Sequence, residues 1–278
     1  MSIPKQVGVL GGGRMGAGIA HSFLAAGASV TVVDVNDAAV TAARERIAQD
    51  VAGSFARGAE GSPKEWMDRL TVTTDPAAFA HHPLVIEAVP ESIELKISSF
   101  RTIAEHSPAA AIATNTSSLS VTDLAGIVDN DVIGLHFFNP VPASKLVEIV
   151  VADSTPPSLV KDAKVWVEGL GKTPIVVKDS PGFASSRLGV AIAIEAIRMV
   201  EEGVASAEDI DQAMVLGYKF PVGPLALTDI VGLDVRLGIA EYLESSLGPR
   251  FAPPQLMRDM VARGELGRKS GKGFYDYR

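Results

Sequence analysis

The chain has 278 residues, 47% hydrophobic and 21% charged, with a net charge of −8 and no cysteine. The length fits two domains or one large one, and the composition is that of a globular protein. Disulfides and thiolate metal sites are excluded, and the negative balance argues against nucleic acid, whose phosphates need lysine and arginine in excess. Met1 is followed by SIPKQ and then the first strand, which leaves no room for a signal peptide, so a cytoplasmic location is expected. That strand, Gln6 to Leu10, runs into Gly11, Gly13 and Gly16, which fit G-x-G-x-x-G. A helical pattern follows, with Ile19, Ala20, Phe23 and Leu24 on one face and Gly27 as its stop. A second strand, Val30 to Val33, ends at Asp34. In such a unit the first glycine permits a tight turn, the second lets the backbone approach a pyrophosphate, and the third lets helix and strand pack closely. The helix N-terminus offers N–H groups and a positive dipole to the phosphates. Asp34 would bond both ribose hydroxyls and repel a 2′-phosphate, so the expected cofactor is NAD rather than NADP.

A long helix from Asp37 to about Arg57 is expected to bury Val40, Ile47, Val51 and Phe55. Ser62-Pro63-Lys64-Glu65 forms a capping box with proline at the first helical position. Strands follow at Leu70–Thr73 and Leu84–Ala88, with His81 and His82 between them in a loop-like stretch and expected to be solvated. A helix from Ser92 to about Glu105 leads to a strand, Ala110–Thr114, and to the polar run ATNTSSLS at 113–120. A short helix, Val121–Ile127, precedes the strand Val132–Phe138, which carries His136. Ser117 and His136 thus lie at the ends of consecutive strands, where doubly wound folds bind ligands. Alternatively, Ser117 or Ser118 caps the helix at Val121.

Glu148 sits among Leu146, Val147, Ile149 and Val150, a β-branched run that reads as a buried strand. A buried carboxylate needs a partner, and His136 would supply one. Together they would form a proton relay in which the carboxylate orients the imidazole. The alternative is a core histidine and an edge-strand glutamate that never meet. A helix from Ser158 to Glu168 and a strand, Pro174–Val177, complete the alternation, which implies a mostly parallel sheet covered on both faces. Gly171-Lys172-Thr173 suggests a phosphate loop, but Trp166 stands where the first glycine should be.

The character changes after Asp179-Ser180-Pro181-Gly182-Phe183, and from Arg187 onward no convincing strand is found. Helices are expected from Arg187 to about Glu202, after Ser206, and around 225–230, 235–247 and 253–262. Met199, Met214, Met257 and Met260 fit as core or helix-interface filler. The longest apolar run, Leu188 to Ile197, is broken by Glu195 and is too short to span a membrane. The expected division is residues 1–183 as an α/β domain and 184–278 as an all-helical one.

Across nearly its whole length the chain resembles the L-3-hydroxyacyl-CoA dehydrogenases, most closely the bacterial 3-hydroxybutyryl-CoA dehydrogenases. The resemblance is carried by GGGRMG at 11–16, VIEAVPESIELK at 85–96, ATNTSSLS at 113–120, GLHFFNPVP at 134–142, KDSPGF at 178–183, GPLALTDIVGLD at 223–234 and the ending GRKSGKGFYDYR. It implies a Rossmann-like, doubly wound NAD-binding domain followed by a helical domain for dimerisation and substrate binding, and hence a homodimer. It also implies that His136 is the catalytic base, Glu148 its partner, and Ser117 a contact to the substrate hydroxyl and cofactor. Glu91, Lys96, Asn139 and Lys269 would join Gly11, Gly13, Met15, Gly16 and Asp34 around the nucleotide. No metal is called for. Two departures stand out. PGFASSR places Ser186 where the family usually has a catalytic-site asparagine, and serine is shorter and donates once. Only Arg57 and Lys64 are placed to meet CoA phosphates where the family usually has more lysines, and surface charge is the alternative role for both. Three functions compete: NAD-dependent oxidation of a short-chain (S)-3-hydroxyacyl-CoA, oxidation of a free 3-hydroxy acid such as a sugar acid, and a non-enzymatic NAD(H)-binding role.

Overall fold

Eight short strands, rich in β-branched residues, make one sheet: β1 (Gln6–Leu10), β2 (Ser29–Val33), β3 (Leu70–Thr73), β4 (Leu84–Glu87), β5 (Ala111–Thr114), β6 (Val132–Phe137), β7 (Leu146–Val151) and β8 (Thr173–Lys178). The computed structural model describes residues 3–278. The central strands are buried on both faces, as parallel sheets covered by helices require. Their order is β3-β2-β1-β4-β5-β6-β7-β8. Every neighbouring pair is parallel except β6 and β7, which are antiparallel. Chain order reverses between β1 and β4, so the crevice beyond their carboxyl ends is the place where such folds take a ligand.

The connecting helices are α1 (Arg14–Ala25), α2 (Asp37–Ala56), α3 (Pro63–Met67), α4 (Ile93–His106), α5 (Val121–Ala125) and α6 (Pro157–Gly169). The apolar face of α1 is buried as its pattern predicts, through Ile19, Ala20, Phe23 and Leu24. α2 buries Ala43, Ile47 and Val51, whereas Val40 and Phe55 are only half-buried. Phe55 is covered by α3 instead, edge-on to the Trp66 ring at 4.9 Å. The capping box forms both of its bonds, Glu65 N–H to Ser62 Oγ and Ser62 N–H to a Glu65 oxygen. His82 corrects an expectation. It is buried, its Nε2 lies 3.1 Å from Thr31 Oγ1, and its ring packs edge-on to Phe79. His81 takes a left-handed backbone angle of 69° and stays exposed, which turns its neighbour inward.

The contacts divide the chain into two compact units, the first ending at Asp179 and the second running from Ser180 to Arg278. Asp179 is held in the first unit by bonds from Ser120 Oγ and the Thr122 N–H. The second unit contains α7 (Ser185–Glu201), α8 (Ala207–Gln212), α9 (Pro224–Val231), α10 (Leu233–Leu247) and α11 (Gln255–Ala262). A π-helical turn at Ala213–Gly217 continues α8. Met257 and Met260 are buried, Met199 packs partly buried against the same cluster, and Met214 is half-buried. The segment after α11 is tied down by two buried aspartates. Asp211 accepts from the Leu225 and Ala226 N–H groups at 2.8 Å, capping α9, and from Tyr275 Oη. Asp229 accepts from the Phe274 and Tyr275 N–H groups and from Tyr277 Oη. Burial pushes the Asp229 carboxyl up, against these bonds.

Candidate active site

The glycine loop leaves β1 and enters α1 at the β1–β4 crevice. Gly11 has φ +97°, and a Cβ there would lie 2.9 Å from the Ala88 carbonyl oxygen, so only glycine fits. Half-buried Met15 packs partly against the core beneath. Asp34, at the end of β2, accepts the Gly12 N–H on Oδ2 and the Val35 N–H on Oδ1, both at 2.7 Å. Its carboxylate is thereby fixed beside the loop, where ribose hydroxyls would arrive. Val35 next to it is 83% exposed, an apolar surface with no motif to mark it in the sequence.

Across the crevice, the segment after β4 carries Glu91, and the segment after β5 carries Ser117. Oε1 of Glu91 accepts from Thr116 Oγ1 at 2.6 Å, the Ser117 N–H at 2.9 Å, and the Ser118 N–H and Oγ, both at 3.0 Å. Lys96 Nζ stands 3.4 Å from Oε2. Burial works against a charge on Glu91, but Lys96 and the bonds from Thr116, Ser117 and Ser118 outweigh it and hold the carboxyl below its usual range. Lys96 is itself buried and paired with Glu87, so it lies beneath the crevice rather than at its surface. Neither Ser117 nor Ser118 caps α5: that cap is Ser120, which accepts the Asp123 N–H.

β6 delivers His136, and the antiparallel return through β7 places Glu148 directly opposite it in register. Opposed residues project to the same face of a sheet, so the two side chains meet. His136 Nδ1 and Glu148 Oε2 are 2.7 Å apart, with the histidine 6% and the glutamate 0% exposed. An Nδ1–H donated to the carboxylate would fix the tautomer and orientation of the ring. The Phe138 ring lies 4.5 Å from the imidazole, and Asn115 Oδ1 accepts the Phe137 N–H, joining the ends of β5 and β6. The link between β6 and β7 contains Asn139, exposed and in a cis bond to Pro140. Lys172 secures that link by donating to the Val141 and Ser144 carbonyls, each at 2.6 Å, and burial pulls its pKa down. Lys172 thus tethers a loop, in keeping with the failed phosphate-loop pattern around it.

A cleft lined by Arg14, Ala17, Arg46, Gln49, Asp50, Asn139, Pro140 and Val141 opens beside the glycine loop. Arg46 donates to the Gly12 carbonyl at 3.3 Å. Arg14 and Arg46 are the cations of this cleft, and both were missed. Arg57 and Lys64, expected to meet CoA, do not line it. Arg57 caps the end of α2 near Ser54, and Lys64 pairs with Asp68 on the surface at 2.5 Å. In the helical unit, Ser186 is the second residue of α7 and half-buried, and Lys269 pairs with Asp234 at 2.6 Å. Among the described residues, no group of three or more histidines and carboxylates is arranged to hold a metal.

Residues 6–180 match the family model for the 3-hydroxyacyl-CoA dehydrogenase NAD-binding domain, and residues 182–277 match the model for the C-terminal domain of the same family. A probable 3-hydroxybutyryl-CoA dehydrogenase of Bacillus subtilis is 41% identical, covering 98% of this chain and 97% of its own. A 3-hydroxybutyryl-CoA dehydrogenase of Mycobacterium tuberculosis is 40% identical, covering 98% of each. The crystal structure of an (S)-3-hydroxybutyryl-CoA dehydrogenase from Ralstonia eutropha superposes with a TM-score of 0.95 at 38% identity, covering 99% of each chain. With both halves matched and the glycine loop, Asp34 and the His136–Glu148 pair in place, the chain belongs to the 3-hydroxyacyl-CoA dehydrogenase family, as an oxidoreductase that uses NAD.

Proposed function

We propose that this protein oxidises the 3-hydroxyl of a short-chain (S)-3-hydroxyacyl-CoA to the ketone, and catalyses the reverse, with His136 and Glu148 as a proton relay. The observation that carries this reading is the buried 2.7 Å contact between His136 Nδ1 and Glu148 Oε2 on adjacent strands. NAD, held by the Gly11–Gly16 loop and Asp34, supplies the hydride acceptor. His136 Nε2 takes the hydroxyl proton as the C3–H hydride departs, and Glu148 stabilises the resulting imidazolium. Ser117 donates to the substrate oxygen. In the reverse direction His136 returns the proton to the 3-keto oxygen. Asn139, beside the cleft, lines the nucleotide and substrate path, and Val35 gives the adenine an apolar wall. Lys269, paired with Asp234 in the helical unit, belongs to the same reading as a nucleotide contact. Arg14 and Arg46, rather than Arg57 and Lys64, meet the phosphates of CoA. NADH consumption with acetoacetyl-CoA, longer 3-ketoacyl-CoAs and free 3-keto acids, assayed in parallel, tests the reading. Turnover confined to the free acids would overturn it in favour of a hydroxy-acid dehydrogenase.

Asp34 sets cofactor choice. A charge-assisted hydrogen bond contributes about 1.5–3 kcal/mol, so Asp34→Ala should weaken NAD at least about tenfold. It should also narrow the preference over NADP, because the repelling charge is gone. Dissociation constants for both cofactors check this, and equal wild-type efficiency with NAD and NADP would remove Asp34 from the ribose site.

Ser186 tests the departure from the family pattern. If it lines the substrate site, Ser186→Asn adds a longer donor and should change KM or kcat for acyl-CoA substrates, while Ser186→Ala removes only the hydroxyl. Unchanged kinetics in both variants across the acyl-CoA series would make Ser186 an ordinary helix residue.

The helical domain presents Leu188 and Ile192 on α7, Leu227, Ile230 and Val231 on α9, and Val235 on α10, each more than a third exposed. Apolar surface of this extent supports a homodimer built through that domain. Among the described residues, no helix is long and apolar enough to cross a membrane.

A further inference from the structure

Beneath the crevice lies a buried charge network that takes no direct part in the proposed chemistry. Glu87 ends β4 at 0% exposure, and Lys96, in the first turn of α4, is 1% exposed. Lys96 Nζ donates to both oxygens of Glu87, at 2.8 and 2.9 Å. Thr114 Oγ1 donates to Oε2 at 2.6 Å, and the Val89 N–H donates to Oε1 at 2.7 Å. A buried ion pair of this kind adds little net stability, because desolvation offsets most of the attraction. Stability alone does not account for it.

Lys96 has one further partner, Oε2 of Glu91 at 3.4 Å. The opposite oxygen of Glu91 gathers the loop after β5. The Ser117 hydroxyl is the most distant of its five donors, at 3.3 Å, while the Ser117 N–H is held at 2.9 Å. The main chain of Ser117 is therefore fixed, and its hydroxyl is the donor most easily released to another acceptor. We infer that Glu87 and Lys96 are positioning residues for Ser117: Glu87 fixes the Lys96 ammonium, the ammonium keeps Glu91 a carboxylate at the loop, and that carboxylate presents Ser117 to the substrate. This rests on the role proposed above for Ser117. Among the described residues, Lys96 of α4 is the charged group facing Glu91, with Glu87 of β4 behind it. From the β5 side come only hydroxyls and N–H groups of Thr116, Ser117 and Ser118.

The test is the double variant Glu87→Gln/Lys96→Met, which removes both ions of the buried pair at nearly constant volume and takes the cation away from Glu91. In this variant kcat/KM for acetoacetyl-CoA should fall about tenfold or more. The acid limb of kcat/KM should move to higher pH. The reason is direct: the loop needs Glu91 ionised, and a carboxyl that loses its cation ionises at higher pH. The titration of Glu91, followed by carboxyl carbon NMR, is read without turnover and should move the same way. Glu91→Gln, at a side chain 35% exposed, should show the same fall in kcat/KM with that limb gone, and serves if the double variant does not fold. An unshifted Glu91 titration in the double variant would overturn the inference, as would wild-type kcat/KM in either variant. Absence of wild-type turnover with acetoacetyl-CoA would instead count against the dehydrogenase reading, and the NMR titration would still decide the charge linkage.

Discussion

His136→Ala is expected to lower kcat by about 10²–10⁴-fold while NADH binding stays near wild type. On the proposed mechanism the imidazole acts on the substrate proton, and the nucleotide is held elsewhere, by the loop after β1 and by Asp34. KM for the acyl-CoA should change little, because the interaction is made in the transition state. Removing the ring from β6 takes away the 2.7 Å contact to buried Glu148, so a loss of stability should accompany the loss of rate, and a thermal melt separates the two. Glu148→Gln is the sharper variant. It keeps the volume of a residue wholly enclosed in β7, and so spares the fold. It removes the charge that stabilises the imidazolium, and an amide that turns its NH2 toward Nδ1 selects the wrong tautomer. A fall on the order of 10²-fold or more is expected. Turnover of His136→Ala within about threefold of wild type would show that the pair is a core contact and that another group moves the proton.

The parts of this architecture legible in the sequence are those whose constraints are local. Gly11 to Asp34 is one continuous strand–turn–helix–strand unit, and each of its residues answers to a neighbour within it. The capping box at Ser62 and the apolar face of α1 are local in the same sense. The meeting of His136 with Glu148 is not local, because it depends on β7 running antiparallel in a sheet that is otherwise parallel. A cue was present. The link at 138–145 is too short for a parallel crossover, which takes about a dozen residues. Arg14 and Arg46 stand in no motif and lie far apart in the chain, and only the fold brings α1 and the middle of α2 to one cleft. His82 was misread because adjacent histidines in a loop suggest solvent. One left-handed residue, His81, is enough to aim the next side chain inward. Glu87 and Lys96 sit in a motif that points to a family, but their contact joins a strand end to a helix, and no periodicity in the sequence exposes it.

Gly16→Ala is expected to damage both the fold and the cofactor site, whereas Gly13→Ala should damage only the second. A Cβ on Gly16 would stand 1.8 Å from the carbonyl oxygen of Gly11 and 2.9 Å from its carbonyl carbon. These are backbone atoms of the turn itself, so no side-chain rotation relieves the clash, and the start of α1 must back away from β1. Overpacking of this kind costs about 1–3 kcal/mol, and more where the backbone must move. A lower melting temperature should result. The same displacement moves the N–H groups that face the pyrophosphate, so NADH should bind at least about tenfold more weakly, the loss that follows from about 1.4 kcal/mol of binding energy. Gly13 differs in kind. It is the N-cap of α1 with an ordinary φ of −62°, and a Cβ there meets nothing within 4 Å. That open space is where a pyrophosphate would lie against the helix N-terminus. Gly13→Ala should therefore melt close to wild type yet bind NADH less tightly. Fluorescence titration with NADH and a thermal melt on each variant separate the two effects. If Gly13→Ala binds NADH as wild type does, the pyrophosphate does not pass over Gly13. If Gly16→Ala also melts as wild type does, the close approach of helix and turn is not what makes residue 16 a glycine.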